Sequence, residues 1–162
     1  MASDLGRAIA RVFFGTPVVI GGDSRESTPA FITAVSQGLI DGGSEVESLG
    51  MVPTPVVAAE SSIRNAVGVV ISASHNPFFD NGIKVFGPGG VKLSSETEAQ
   101  IEVEWNRQDA PDVVAKPSGN MTTGEIADVQ VRYLERVTSA IEQRSLQGIR
   151  VVVDAANGAA SE

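Results

Sequence analysis

The sequence predicts a layered α/β fold, on three observations. Short strand-like runs at Pro17–Ile20, Glu45–Leu49 and Gly68–Ser72 alternate with stretches of helical periodicity. The helical stretches open on recognisable starts at Thr28-Pro29, Thr54-Pro55 and Ser95 with Glu98. Glycine pairs at 42–43 and 89–90 punctuate the segments between them.

The elements follow in order. Leu5, Ile9, Val12 and Phe13 recur at helical spacing, so Asp4–Phe14 reads as an amphipathic helix. Pro17–Ile20, an apolar run ahead of Gly21-Gly22, reads as a buried strand. Thr28-Pro29 supplies an N-cap and then proline at the first helical position; that helix runs to about Ile40 and stops at Gly42-Gly43. Glu45–Leu49 is a strand, and Thr54-Pro55 starts a short helix over Val56–Ser61. Gly68–Ser72 is an apolar, β-branched strand that enters a polar loop, Ala73–Asn81. Ile83–Phe86 and Val91–Leu93 flank Gly87-Pro88-Gly89-Gly90 and read as a hairpin. Ser95 and Glu98 form a capping box for a charged helix over Glu96–Arg107. Asp109–Asn120 is a polar connection, Thr122–Arg144 a long helical pattern, and Ile149–Asp154 a last strand before the turn Ala155-Ala156-Asn157-Gly158. A strand and turn of that kind normally lead into a covering helix, so the segment reads as the opening of a second domain. The expected division is 1–120 and 121–162.

Composition narrows the function classes. At 42% hydrophobic and 20% charged, the 162 residues suffice for one domain with a real core. Twenty acids against twelve bases leave a net charge of −8, a field that does not draw in nucleic acid or anionic membrane. Any phosphate must therefore be held by a few placed cations and backbone N–H groups. The absence of cysteine excludes disulfides, thiolate metal sites and a cysteine nucleophile. Met1–Ala10 lacks a basic segment followed by an apolar one, and no apolar run reaches membrane-spanning length, so a cytoplasmic protein is expected.

Chemistry concentrates in Ser72-Ala73-Ser74-His75-Asn76-Pro77-Phe78-Phe79-Asp80-Asn81-Gly82-Ile83-Lys84. A buried strand delivers this polar loop, which is where α/β sheets commonly place function. Ser74 offers a hydroxyl; His75 and Lys84 offer cationic or proton-transfer groups. By themselves these residues also suit a plain turn, since Asn, Ser and Asp bond locally to backbone. A hydrolase triad is disfavoured, because no Gly-x-Ser-x-Gly elbow surrounds Ser74.

The run Gly68-Val-Val-Ile-Ser-Ala-Ser-His-Asn-Pro77, followed by Asp80-Asn-Gly-Ile-Lys84, resembles the phosphoserine loop of the alpha-D-phosphohexomutases. Gly22-Asp23-Ser24-Arg25 is similar to the family's early Asp-x-Arg segment, and Gly50-Met-Val-Pro-Thr-Pro55 to its Gly-x-x-x-Thr-Pro segment. Val152-Val-Asp-Ala-Ala-Asn-Gly-Ala-Ala-Ser161 is similar to the start of its second domain. The resemblance implies a layered mixed β-sheet sandwiched by helices, of the family's domain I type and without its first strand. Ile71-Ser72, Asp80-Asn-Gly-Ile-Lys84 and Ala156-Asn-Gly-Ala-Ala160 favour the branch that interconverts glucosamine 6-phosphate and glucosamine 1-phosphate. Phosphomannose or phosphoglucose conversion, and a non-catalytic module binding phosphosugar or protein, stay open as alternatives.

The resemblance further implies that Ser74 carries the phosphate and that this phosphate is one ligand of Mg²⁺. Lys84 would move a proton at the sugar hydroxyl, and His75 would orient the phosphoserine or substrate. Arg25 would contact phosphate or sugar; Asn76 would sit on the substrate side and shape the loop rather than react. Glucosamine 1,6-bisphosphate is the implied intermediate and activator. The family's Asp-Gly-Asp-x-Asp-Arg metal loop and its sugar-reading loops are not found in the sequence. The chain alone is therefore expected to have little mutase activity and to need the family's further domains as partners.

Overall fold

The computed structural model describes residues 1–107, 120–124, 126–142, 144, 145 and 147–161. Its centre is a six-stranded mixed sheet. The strands are β1 (Val18–Gly22), β2 (Val46–Met51), β3 (Val67–Ile71), β4 (Ile83–Gly87), β5 (Val91–Lys92) and β6 (Met121–Thr123), in the order β5-β4-β3-β1-β2-β6. β1 pairs parallel with β2 and β3, and β2 pairs parallel with β6. β4 runs antiparallel to β3 and β5. β1 and β3 are buried along their whole length, which explains why both read as unbroken apolar runs rather than alternating ones.

Helices cover both faces. α1 (Ala2–Val12), α2 (Thr28–Asp41) and α4 (Ser95–Asn106) place Ala8, Ile9, Val35, Leu39 and Ile101 against Val18, Ile20, Val67, Val69 and Ile71. α3 (Thr54–Arg64) and α5 (Ile126–Ala140) place Val56, Val57 and Val129 against Val19, Leu49 and Val70 on the other face. The expected layered α/β sandwich is thus the observed one. α1 and α2 cross with their backbones in contact: a Cβ on Gly38 would overlap the carbonyl oxygen of Ser3. The β4–β5 turn uses Gly89 and Gly90 at φ +94° and +73°, a region that glycine enters without steric cost.

On the second face a buried carboxylate ties α5 to α3. Glu60, 1% exposed, accepts two hydrogen bonds from Arg132, at 3.0 and 2.8 Å, and one from Arg64 Nε at 2.8 Å. Arg64 also pairs with Glu47 of β2. Burial pushes the Glu60 carboxyl up, but the bonds from Arg132 and Arg64 outweigh it and hold the group below its ordinary value.

Several boundaries differ from the sequence reading. The first helix starts and ends two residues earlier than Asp4–Phe14, and α3 extends beyond Val56–Ser61 at both ends. The cap of α4 is Ser94, whose hydroxyl accepts from the Thr97 N–H at 3.2 Å, not Ser95. Ser27 precedes α2, while the Thr28 hydroxyl turns away to donate to Asp23 Oδ1 at 2.9 Å. The helix expected from Thr122 begins at Ile126 and ends at Ala140. Ahead of it, Met121–Thr123 forms β6 instead, because two β-branched threonines lie against the edge of β2 and complete its ladder. The sheet therefore spans the boundary expected at residue 120. Ile149–Asp154 forms no strand: a strand exists only through its ladder, and no described residue pairs with it, leaving Val152 97% exposed. Of the connection read over Asp109–Asn120, only Asn120 lies among the described residues.

Candidate active site

β1 and β3 are neighbours and parallel, so the loops leaving their carboxyl ends emerge side by side. The β3 loop is closed at its neck by Ser72 N–H donating to the Gly82 carbonyl at 2.8 Å. Asn81 pins the far limb, donating to Ser27 Oγ at 2.9 Å and Thr28 Oγ1 at 3.3 Å. From the β1 side, Asp23 and Arg25 reach across.

Arg25 organises the loop. Its side chain is 10% exposed. Nε donates to Asp23 Oδ2 at 3.0 Å. Nη1 donates to the carbonyls of Pro77 at 2.5 Å and Asp80 at 3.0 Å. Nη2 donates to the carbonyls of Ser74 and Asn76, both at 2.9 Å. A guanidinium has five N–H donors in a fixed fork, so every one is engaged. Asp23 is the hub behind it. Its carboxylate accepts from Thr28, from the Arg25 N–H at 3.2 Å and from Arg25 Nε. Burial pushes Asp23 up; the bonds from Ser72, the Arg25 backbone, Thr28 and the Arg25 side chain hold it below its ordinary value.

Ser74 stands exposed at the crown of the loop, with φ at +58°. That left-handed conformation is unusual for a residue with a side chain and is worth a functional question. The Ser74 N–H donates to Ser72 Oγ at 3.0 Å, and its own Oγ lies 3.5 Å from His75 Nδ1. His75 is exposed beside it. Asn76 donates from its backbone to the Ala73 carbonyl at 3.1 Å and from its side chain to Asp80 Oδ2 at 3.4 Å, which shapes the turn. Phe78 and Phe79 pack edge to face and are 84% and 72% exposed.

The structure thus brings Ser74, His75, Asn76 and Arg25 into one cluster. Lys84 is exposed in β4, opposite Val70, two residues past the loop neck. Among the described residues no hydrogen bond joins Lys84 to Ser74. Sequence reasoning gave no role to Asp23 or Ser72. The available signal was position: Asp23 sits two residues before Arg25, and Ser72 sits at the last residue before the loop.

Mg²⁺ prefers about six oxygen ligands. Among the described residues no three His, Cys, Asp or Glu side chains converge on a point that would hold an ion. Both Asp23 oxygens are already taken by neighbouring donors. The described side chains do not by themselves make a magnesium site; a phosphate on Ser74 would add one ligand. Among the described residues no helix is long and apolar enough to cross a membrane.

An exposed polar loop at the carboxyl end of a buried parallel strand, within a helix-covered mixed sheet, is where α/β domains commonly place their sites. The sequence profile described as "Phosphoglucomutase/phosphomannomutase, alpha/beta/alpha domain I" matches residues 1–112, and the chain belongs to that family. A protein of Gluconacetobacter diazotrophicus named phosphoglucosamine mutase is 44% identical over 145 residues, 88% of this chain and 32% of its own length. A phosphoglucosamine mutase of Afipia carboxidovorans is 44% identical over 166 residues, 99% of this chain and 37% of its own. A crystal structure from Burkholderia thailandensis, described as a phosphoglucomutase/phosphomannomutase family protein, superposes with a TM-score of 0.71 at 28% identity, covering 85% of this chain and 31% of that one. The chain spans about a third of the length of the curated relatives it matches.

Proposed function

We propose that this chain supplies the phosphate-carrying serine of a phosphohexomutase that interconverts glucosamine 6-phosphate and glucosamine 1-phosphate. The observation that carries the reading is Ser74: an exposed hydroxyl in a left-handed turn whose surrounding carbonyls are gathered by one partly buried guanidinium. Phosphoryl transfer needs placement and charge stabilisation more than elaborate covalent machinery, and a loop fixed in this way provides placement. The sugar assignment is supported by the relatives, which are named phosphoglucosamine mutases.

In the forward half-reaction the bond from Ser74 Oγ to phosphorus breaks as a bond from a sugar hydroxyl oxygen to phosphorus forms. The hydroxyl proton leaves to a base, the role assigned to Lys84, and Ser74 Oγ recovers a proton on departure. The resulting bisphosphorylated sugar, glucosamine 1,6-bisphosphate, returns its other phosphate to Ser74 by the reverse exchange. His75, 3.5 Å from Ser74 Oγ, orients the reacting oxygen. Arg25 holds the loop; direct contact with the sugar phosphate would require it to release one of its four carbonyls. Full turnover draws on segments corresponding to the rest of the relatives' length, which would hold and turn the sugar.

The test is a single transfer. The chain is incubated with Mg²⁺ and ³²P-labelled glucosamine 1,6-bisphosphate, and the labelled residue is located by tandem mass spectrometry. Label at Ser74, absent from Ser74→Ala, is the expected result. Label that persists in Ser74→Ala, or label carried on another residue, refutes the assignment. Unlabelled glucose and mannose bisphosphates as competitors then rank the sugars.

A further inference from the structure

Ser74 holds a conformation it would not choose. Left-handed backbone brings the Cβ of an L-residue against the carbonyl oxygen, and such a residue persists only where its surroundings over-determine it. Two side chains do so here, one on each polar group of the residue. The Ser74 carbonyl accepts from Arg25 Nη2 at 2.9 Å, and the Ser74 N–H donates to Ser72 Oγ at 3.0 Å. Fixing both the N–H and the C=O of one residue fixes its φ and ψ together.

The two holds converge on a single group. Arg25 is anchored to Asp23 through Nε, and the Ser72 hydroxyl lies near the same carboxylate, helping to hold it below its ordinary value. A hydroxyl has one proton to give and two lone pairs to accept with. At Ser72 a lone pair faces the Ser74 N–H, which leaves the proton free to turn toward Asp23. Ser72 is 7% exposed, so water does not readily substitute for either partner. Asp23 is itself immobilised by Thr28 at 2.9 Å and by the Arg25 N–H at 3.2 Å.

We propose that Ser72, backed by Asp23, is a positioning residue that locks Ser74 in its left-handed conformation and so aims Ser74 Oγ for phosphoryl transfer. This rests on the reading of Ser74 as the phosphate carrier. Ser72 touches neither substrate nor the reacting oxygen; it acts through the backbone of Ser74. Released from Ser72, the Ser74 backbone relaxes toward the ordinary right-handed or extended regions, and its Oγ swings off the line of attack. Misplacing a reacting group by about 1 Å costs on the order of a hundredfold in rate.

The experiment compares the wild-type chain with Ser72→Ala, Ser72→Thr and Ser74→Ala. Two readouts are taken: the rate of labelling from ³²P-glucosamine 1,6-bisphosphate with Mg²⁺, and hydrogen exchange of the Ser74 amide by NMR in the unphosphorylated chain. Ser72→Ala should label about 10- to 100-fold more slowly, and its Ser74 amide should lose protection. Ser72→Thr keeps the hydroxyl and should restore both. Wild-type labelling in Ser72→Ala overturns the inference while leaving the role of Ser74 intact. Slow labelling with unchanged Ser74 exchange also overturns it, because the effect would then not run through that N–H. A wild-type chain labelled at a residue other than Ser74 overturns the phosphoserine reading and this inference with it, and the amide exchange then shows whether the Ser72 bond itself exists.

Discussion

Replacing Arg25 with alanine removes five hydrogen bonds in one step. Exchanging an internal bond for one to water costs about 0.5–1.5 kcal/mol. The four loop carbonyls lie near solvent and rehydrate, which places them at the low end, roughly 2 kcal/mol together. The Asp23 pair is more enclosed, at 10% and 19% exposure, and adds about 1 kcal/mol. The sum is about 3 kcal/mol; in a chain of this size each kcal/mol moves Tm by about 2–4 °C, so the expected fall is about 6–12 °C. Arg25→Lys should recover less than half of it, because an ammonium presents three donors from one point and cannot span four carbonyls. Scanning fluorimetry measures the first effect. Chymotrypsin cleavage at Phe78 and Phe79 measures the second, since a released loop presents these exposed rings in many more conformations. A Tm within about 2 °C of wild type, with unchanged cleavage, would refute the account of Arg25 as the loop's anchor.

Two further outcomes concern the scaffold. Gly38→Ala should cost about 3 kcal/mol or more, read by urea denaturation, because its Cβ would overlap the Ser3 backbone where two helices touch and neither can yield locally; a loss under about 1 kcal/mol would contradict that crossing. The Glu60 carboxyl is held below its ordinary value, so its contribution is fully present above the ordinary carboxylate range and disappears as pH falls through its lowered folded value. The stability gap between wild type and Glu60→Gln should therefore be constant from pH 7 to about 5 and shrink below about 4; a gap that survives unchanged at pH 3 would show that the ion pairs do not supply it.

Much of this architecture was legible from local pattern. The buried strands at the centre were visible because a strand covered on both faces is apolar throughout, and proline at a helix start marks itself. Capping was legible only to within a residue: Ser94 and Ser95 are chemically alike, and the choice depends on which backbone turns first. Met121–Thr123 was lost because a three-residue strand carries no periodicity of its own and is created by the edge of β2. Ile149–Asp154 erred in the opposite direction, since composition suits a strand but pairing decides one. At the site, residue types announced Ser74 and His75, whereas the fork of Arg25 across 49 to 55 positions of sequence is a property of the fold alone.

The clamp on the loop has an implication for how such a chain can change. Arg25 grips four main-chain oxygens of the loop and none of its side chains. Every amino acid carries that carbonyl, so the grip is indifferent to what is written at positions 75, 78 and 79. Phe78 and Phe79 face solvent beside Ser74 and can be rewritten, to admit a different molecule, without disturbing the aim of the hydroxyl at the centre. Shape and selectivity are thereby encoded in separate sets of residues, and a library randomised at Phe78 and Phe79 would vary the second while inheriting the first.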